Sequence, residues 1–148
     1  MIHQTLIPTQ HENLNDQSQR RHSPQMKNNR PVQRTLKYCR EKMGMSAGVV
    51  ERLLPRPGSF PIRKDYLGFI DIIAVGNGRV LGIQCTTENG LSAHKKKIHG
   101  DDLAEDLANW LSVAELEIWV WPHRSREPTI SEINLGGHLE YLNGSSIK

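Results

Sequence analysis

Aromatic side chains make up only 5% of this chain, and just two of them are phenylalanines. Hydrophobic residues reach 36% of 148, low for one packed domain, so part of the chain is expected to lie outside the core. Cysteine is nearly absent. Cys39 and Cys85 cannot build a disulfide framework, and they lack zinc-ligand spacing. A reducing, cytoplasmic compartment is therefore the default expectation. Long apolar runs are also missing, and no signal-peptide pattern opens the chain, so no membrane partner is expected. There is no internal repeat. The charge that is present leans basic, +3 with a pI near 9.0, a mild pointer to a polyanionic partner.

Residues 1–30 are rich in Gln, Asn, His, Ser and Arg and poor in large apolar side chains. Such a segment cannot bury enough surface to offset its ordering entropy, and it reads as a disordered polar tail. Residues 31–148 read as a single domain. Pro31 suits a first helical turn and Gly44 the position after a last one, so a helix is expected from about Pro31 to Met43. Val32, Leu36, Cys39 and Met43 give it one apolar stripe. Val49–Leu54 reads as a first strand that contains Glu51 and is ended by Pro55-Arg-Pro-Gly58.

The next stretch organises the rest. Phe69–Val75 and Val80–Cys85 are apolar runs interrupted only by Asp71 and Gln84, and Gly76-Asn77-Gly78-Arg79 lies between them. Asn-Gly between β-rich segments is a strong hairpin signal, because both residues tolerate positive φ. A two-residue turn there sets Val75 opposite Val80, Ile73 opposite Gly82, Asp71 opposite Gln84 and Phe69 opposite Thr86. Asp71, Gln84 and Thr86 then share one face, with Asp71 and Gln84 a non-hydrogen-bonded pair about 4.5 Å apart at Cα. A carboxylate inside such a run costs several kcal/mol to bury uncompensated. It is either a structural Asp tied to a backbone N–H or to Arg63, or a metal-binding or catalytic group.

Beyond Thr87, Ser92–Ile98 reads as a short basic helix capped by Ser92, carrying Lys95, Lys96 and Lys97, with His94 and His99 at the surface. Asp102 and Glu105 have capping-box spacing for a helix with Leu103, Leu107, Trp110 and Leu111 inward. Leu116–Trp121 is a strand with one of Trp119 and Trp121 exposed. Thr129–Leu135 is an edge strand, and the chain beyond Gly136 is expected to be short and loose. The fold class is α/β, a mixed sheet flanked by helices.

This order, with Gly68-Phe-Ile-Asp71 followed by Val80-Leu-Gly-Ile-Gln84-Cys-Thr86, resembles the PD-(D/E)XK nuclease superfamily, including its small phage and bacterial nuclease-like members. The resemblance covers about Val32 to Leu135. It implies an αβββαβ restriction-endonuclease-like core and an endonuclease that hydrolyses phosphodiester bonds with Mg²⁺ or Mn²⁺, most simply in DNA. Many members act as dimers, so a homodimer is compatible with it. Asp71 matches the first acid of the motif. Gln84 stands where a second acid usually binds metal, and Thr86 stands where a lysine usually sits. The implied metal ligands are Asp71, the Gln84 side-chain oxygen and the Cys85 carbonyl.

Glu51 and Asp65 are candidate substitutes for the missing acid, and Lys95, Lys96 and Lys97 for the missing lysine. Arg63 and Lys64 are candidate phosphate contacts, with an Arg63–Asp65 ion pair as the plain alternative. A solvated face is the plain alternative for the three lysines. Two other readings compete with a variant nuclease. One is a nuclease-fold protein that binds nucleic acid without cutting it. The other is a structural or protein-interaction module.

Overall fold

The computed structural model describes residues 30–145, and most of the expected polar tail lies outside them. Helix α1 spans Pro31–Glu41, with Pro31 in its first turn and Leu36 and Cys39 buried. Strand β1, Ser46–Val49, follows it. It comes earlier than the expected Val49–Leu54, because Pro55 and the cations around it belong to a different structure. That structure is a two-stranded ribbon, β2 (Arg52–Arg56) and β3 (Ser59–Lys64), standing apart from the main sheet with every residue exposed. Pro55 does not end the strand. It sits inside β2 at a register shift, where a two-stranded ribbon tolerates a missing donor.

Strands β4 (Ile72–Gly76) and β5 (Arg79–Thr86) form the expected hairpin. Asn77 and Gly78 both take positive φ, 54° and 74°, and Val75 pairs with Val80 and Ile73 with Gly82. Strand β6 (Glu115–Val120) lies parallel to β5, and β7 (Thr129–Ile133) antiparallel to β6. The sheet order is β1-β4-β5-β6-β7, mixed and five-stranded.

Helices α2 (Leu91–Ile98) and α3 (Ala104–Leu111) occupy the β5–β6 connection. Neither is capped as expected: Ser92 lies inside α2, and α3 begins after a 3₁₀ turn at Asp101–Leu103, with no side-chain cap on either. The C-terminal stretch is helical rather than loose, α4 running Leu135–Ser145.

The helices cover both faces of the sheet. Leu36 and Cys39 of α1 pack with Ile72, Ala74, Leu81, Ile83, Trp119 and Trp121. Ile98 and Leu107 pack on the other face with Phe69, Ile70, Leu116 and Ile118. Burial on both faces explains why β5 is buried continuously from Leu81 to Thr86. Trp119 and Trp121 are both buried, against expectation. Two residues apart on a strand, they share a face, and Tyr38 of α1 meets both rings edge-on. No helix among the described residues is long and apolar enough to cross a membrane.

Candidate active site

The hairpin register holds as far as Ile72 opposite Ile83 and stops one residue short of Asp71. The Asp71 N–H donates back to the Ile83 carbonyl at 3.0 Å, which a regular non-hydrogen-bonded pair with Gln84 would not allow. The strand therefore bulges at Asp71. The expected backbone pair is not made, and neither is Phe69 opposite Thr86; Ile70 bridges to Tyr66 instead. The side chains of Asp71 and Gln84 nevertheless meet. One Asp71 carboxylate oxygen accepts from Gln84 Nε2 at 2.6 Å and from the Cys85 N–H at 2.7 Å. The carboxylate thus occupies the place of a ladder carbonyl at the strand end.

Two further acids converge on it. Leu67 and Gly68, with φ of 54° and 83°, reverse the chain between Asp65 and Asp71, and Phe69 N–H closes the turn on the Tyr66 carbonyl. Asp65 is brought back against Asp71 as a result. Glu51 arrives from the β1 side, where Val50 N–H bonds the Asp71 carbonyl at 2.8 Å. Burial is the main cause that pushes the Asp71 pKa up, to about 7. The Cys85 N–H pulls it down, while the charge and hydrogen bonding of Asp65, and then Glu51, push it up again.

The expected Arg63–Asp65 pair does not form. Arg63 reaches Glu51 at 3.3 Å, and Lys97 Nζ reaches Asp65 at 2.7 Å. Of the three lysines only Lys97 joins the acids. Lys96 is exposed, and Lys95 borders a cleft with His99 and Ser131 near β7. Lys64 is exposed on the ribbon.

Thr86 is buried on β5, but its hydroxyl donates to the Thr87 carbonyl at 3.2 Å rather than to an acid. It is the floor on which α2 begins: a Cβ on Gly90 would come within 2.1 Å of Thr86 Oγ1, so only glycine permits this approach. Cys85 enters through its N–H. Its thiol points to the opposite face, where it donates to Thr35 Oγ1 at 3.3 Å, and burial pushes its pKa far up.

One residue read as surface belongs near the acids. His94 lies beside Gly90 and Thr86, half-buried, with its pKa lowered by burial and then by Lys97. Helical spacing was the available signal, since His94 and Lys97 are three apart on α2 and share a face. Two side-chain atoms among the described residues are buried without a hydrogen-bond partner: Gln84 Oε1 and His94 Nδ1. Buried polar atoms are normally satisfied, and both of these orphans lie beside the acidic cluster. No group of three or more His, Cys, Asp and Glu side chains among the described residues is disposed to hold a metal ion. A cation here would need the Gln84 oxygen beside Asp71 and its acidic neighbours, a donor set of hard oxygens that suits Mg²⁺ or Mn²⁺.

No protein-family model, curated protein or solved structure matches the chain. The site therefore stands on its geometry.

Proposed function

We propose that this protein is a metal-dependent phosphodiesterase acting on nucleic acid, a nuclease with a variant PD-(D/E)XK site. The observation that carries the reading is the buried Asp71 carboxylate, crowded by Asp65 and Glu51 and placed next to the orphaned Gln84 Oε1. A crowded carboxylate with raised proton affinity and an unsatisfied neighbouring oxygen are relieved together by a divalent cation. The element order of the main sheet, helix, three antiparallel strands, helices and a parallel strand, supports the same resemblance.

In this reading Asp71, Asp65 and the Gln84 oxygen would hold the ion, and Glu51 would add negative charge nearby. A bound Mg²⁺ supplies a water of lowered pKa and neutralises charge developing on the phosphate. Lys97 does from α2 what Thr86 cannot do from β5. Its ammonium is anchored by Asp65 and stays half-exposed, within reach of an approaching phosphate oxygen. His94, whose pKa is lowered by burial and then by Lys97, leaves its buried Nδ1 open to a hydrogen bond from a bound ligand.

The test is cleavage of duplex, single-stranded and branched DNA, and of RNA, with Mg²⁺ or Mn²⁺. Asp71→Asn is expected to abolish cleavage, and Lys97→Met to slow it roughly 100-fold. Inactivity of the wild type on every substrate, with no metal binding by calorimetry, overturns the reading. The alternative is then a protein that binds nucleic acid without cutting it.

A further inference from the structure

The β2–β3 ribbon carries Arg52, Arg56, Arg63 and Lys64 and contains no acidic residue. Arg63 is engaged by Glu51 at its base, while Arg52, Arg56 and Lys64 have no ion-pair partner among the described residues. Arg52 and Lys64 face each other directly across the two strands. Like charges in that position destabilise a ribbon unless an anion lies against them. The ribbon is also apolar where a solvated arm has no reason to be: Phe60 is 91% exposed and Leu53 62%.

The ribbon's position gives these features a direction. Glu51 immediately precedes β2 and Asp65 immediately follows β3, so both roots of the ribbon are acids of the candidate site. Whatever the ribbon grips is delivered to Asp71. The six residues of β3 carry the arm about 20 Å from those roots. A groove about 12 Å wide in a duplex admits a two-stranded ribbon of this kind.

We propose that the β2–β3 ribbon is a duplex-binding arm. It lies along the groove of a nucleic-acid duplex, with Arg52, Arg56 and Lys64 on the phosphates and Phe60 against the bases. The choice of nucleic acid as ligand rests on the proposed function above. A second copy of this chain is the poorer occupant. Two such ribbons would oppose like charges, and Pro55 and Pro61 interrupt the edges a partner strand would use. An exposed phenylalanine on a basic arm suits apolar contact with base edges in that groove, such as a thymine methyl.

The experiment is fluorescence anisotropy of the full chain on a labelled DNA duplex, without divalent ions, across a salt series. The combined variant Arg52→Gln, Arg56→Gln, Lys64→Gln is expected to reduce the slope of log K against log salt by roughly 2–3 and to weaken binding roughly tenfold or more. Phe60→Ala is expected to weaken duplex binding with the slope unchanged. Circular dichroism of both variants should match the wild type, since every altered residue is exposed. Wild-type slope and affinity in the combined variant overturn the proposal. So does a wild type that binds no duplex, or a variant that loses self-association in sedimentation while keeping duplex affinity. Absent cleavage with ribbon-dependent binding intact overturns only the enzyme reading. Intact cleavage with ribbon variants that bind like wild type overturns only the arm.

Discussion

The Gln84 side-chain amide donates to the Asp71 carboxylate at 2.6 Å, and its carbonyl oxygen is left buried without a partner. The contact is satisfied on one side and open on the other. Gln84→Glu replaces a donor with a second carboxylate, and two carboxylates at that distance cannot both ionise cheaply. The variant is expected to be less stable than wild type near pH 8 in chelator, by roughly 3 kcal/mol. Mg²⁺ or Mn²⁺ should restore most of the loss. Thermal melts with and without metal check this, and a variant as stable as wild type in chelator would show that the two side chains are not held together.

Asp71 gives stability a pH dependence of definite sign. Its pKa is raised in the folded chain to about 7, first by burial. A carboxyl that holds its proton more tightly when folded contributes in full below the unfolded value of about 4 and loses that contribution as pH rises toward and through 7. Asp71→Asn removes the titration and keeps a Cys85 N–H acceptor. Urea unfolding across this range should give a flatter profile for the variant and greater stability than wild type at pH 8. Parallel profiles would mean that Asp71 does not titrate in this window.

The His99 and His138 rings stack, with their Nδ1 atoms 2.7 Å apart and both residues buried. One ring donates and the other accepts, so both cannot be protonated. The His99 pKa is lowered by burial, then by His138 and by Lys95. A depressed histidine contributes stability above its ordinary value of about 6.5 and loses it as pH falls below that. Amide exchange in α4 is expected to speed up on acidification to about pH 5.5, after correction for intrinsic rates. His138→Gln should reduce the effect. Equal protection at both pH values in the wild type would refute a link between this pair and α4 docking.

At the other end of the hairpin, Arg79 bonds Glu115 and the buried Glu117, which also accepts from Trp119 Nε1 at 2.6 Å. Arg79→Ala leaves Glu117 buried with only the indole for compensation. The expected loss is on the order of 3 kcal/mol by urea titration. A loss within error of zero would show that water replaces the guanidinium.

What the sequence revealed, and what it hid, follows the range of the forces involved. The hairpin was legible because Asn77-Gly78 encodes its own turn, and the pairing follows from it by counting. The bulge at Asp71 was not legible, because it depends on a carboxylate competing with a carbonyl for the Cys85 N–H. Asp65 and Asp71 were both marked, yet their approach rests on Leu67 adopting a left-handed conformation that nothing in its side chain favours. The ribbon was misread because Pro55 normally stops a strand, and only its freedom from the main sheet lets it stay. His94 was passed over as a lone surface histidine, although its spacing from Lys97 put both on one face of α2. Ser92 and Asp102 fit capping patterns, but the chain begins those helices at other residues.

Val49 pairs with Ile72 across the β1–β4 ladder, so the chain leaves the sheet at one strand end and returns at the adjacent one. Everything in between, including the ribbon, is a detour that begins and ends at neighbouring points. The entropy of closing such a detour grows only with the logarithm of its length, about 0.6 kcal/mol per doubling. Lengthening or trimming the exposed ribbon within it, Arg52–Lys64, leaves the sheet register as it is, because Phe69 and Ile70, not the ribbon, carry the detour's share of the core. The reach of the arm is therefore set independently of the sheet, while Glu51 and Asp65 at its base stay fixed where the chain leaves and re-enters the core.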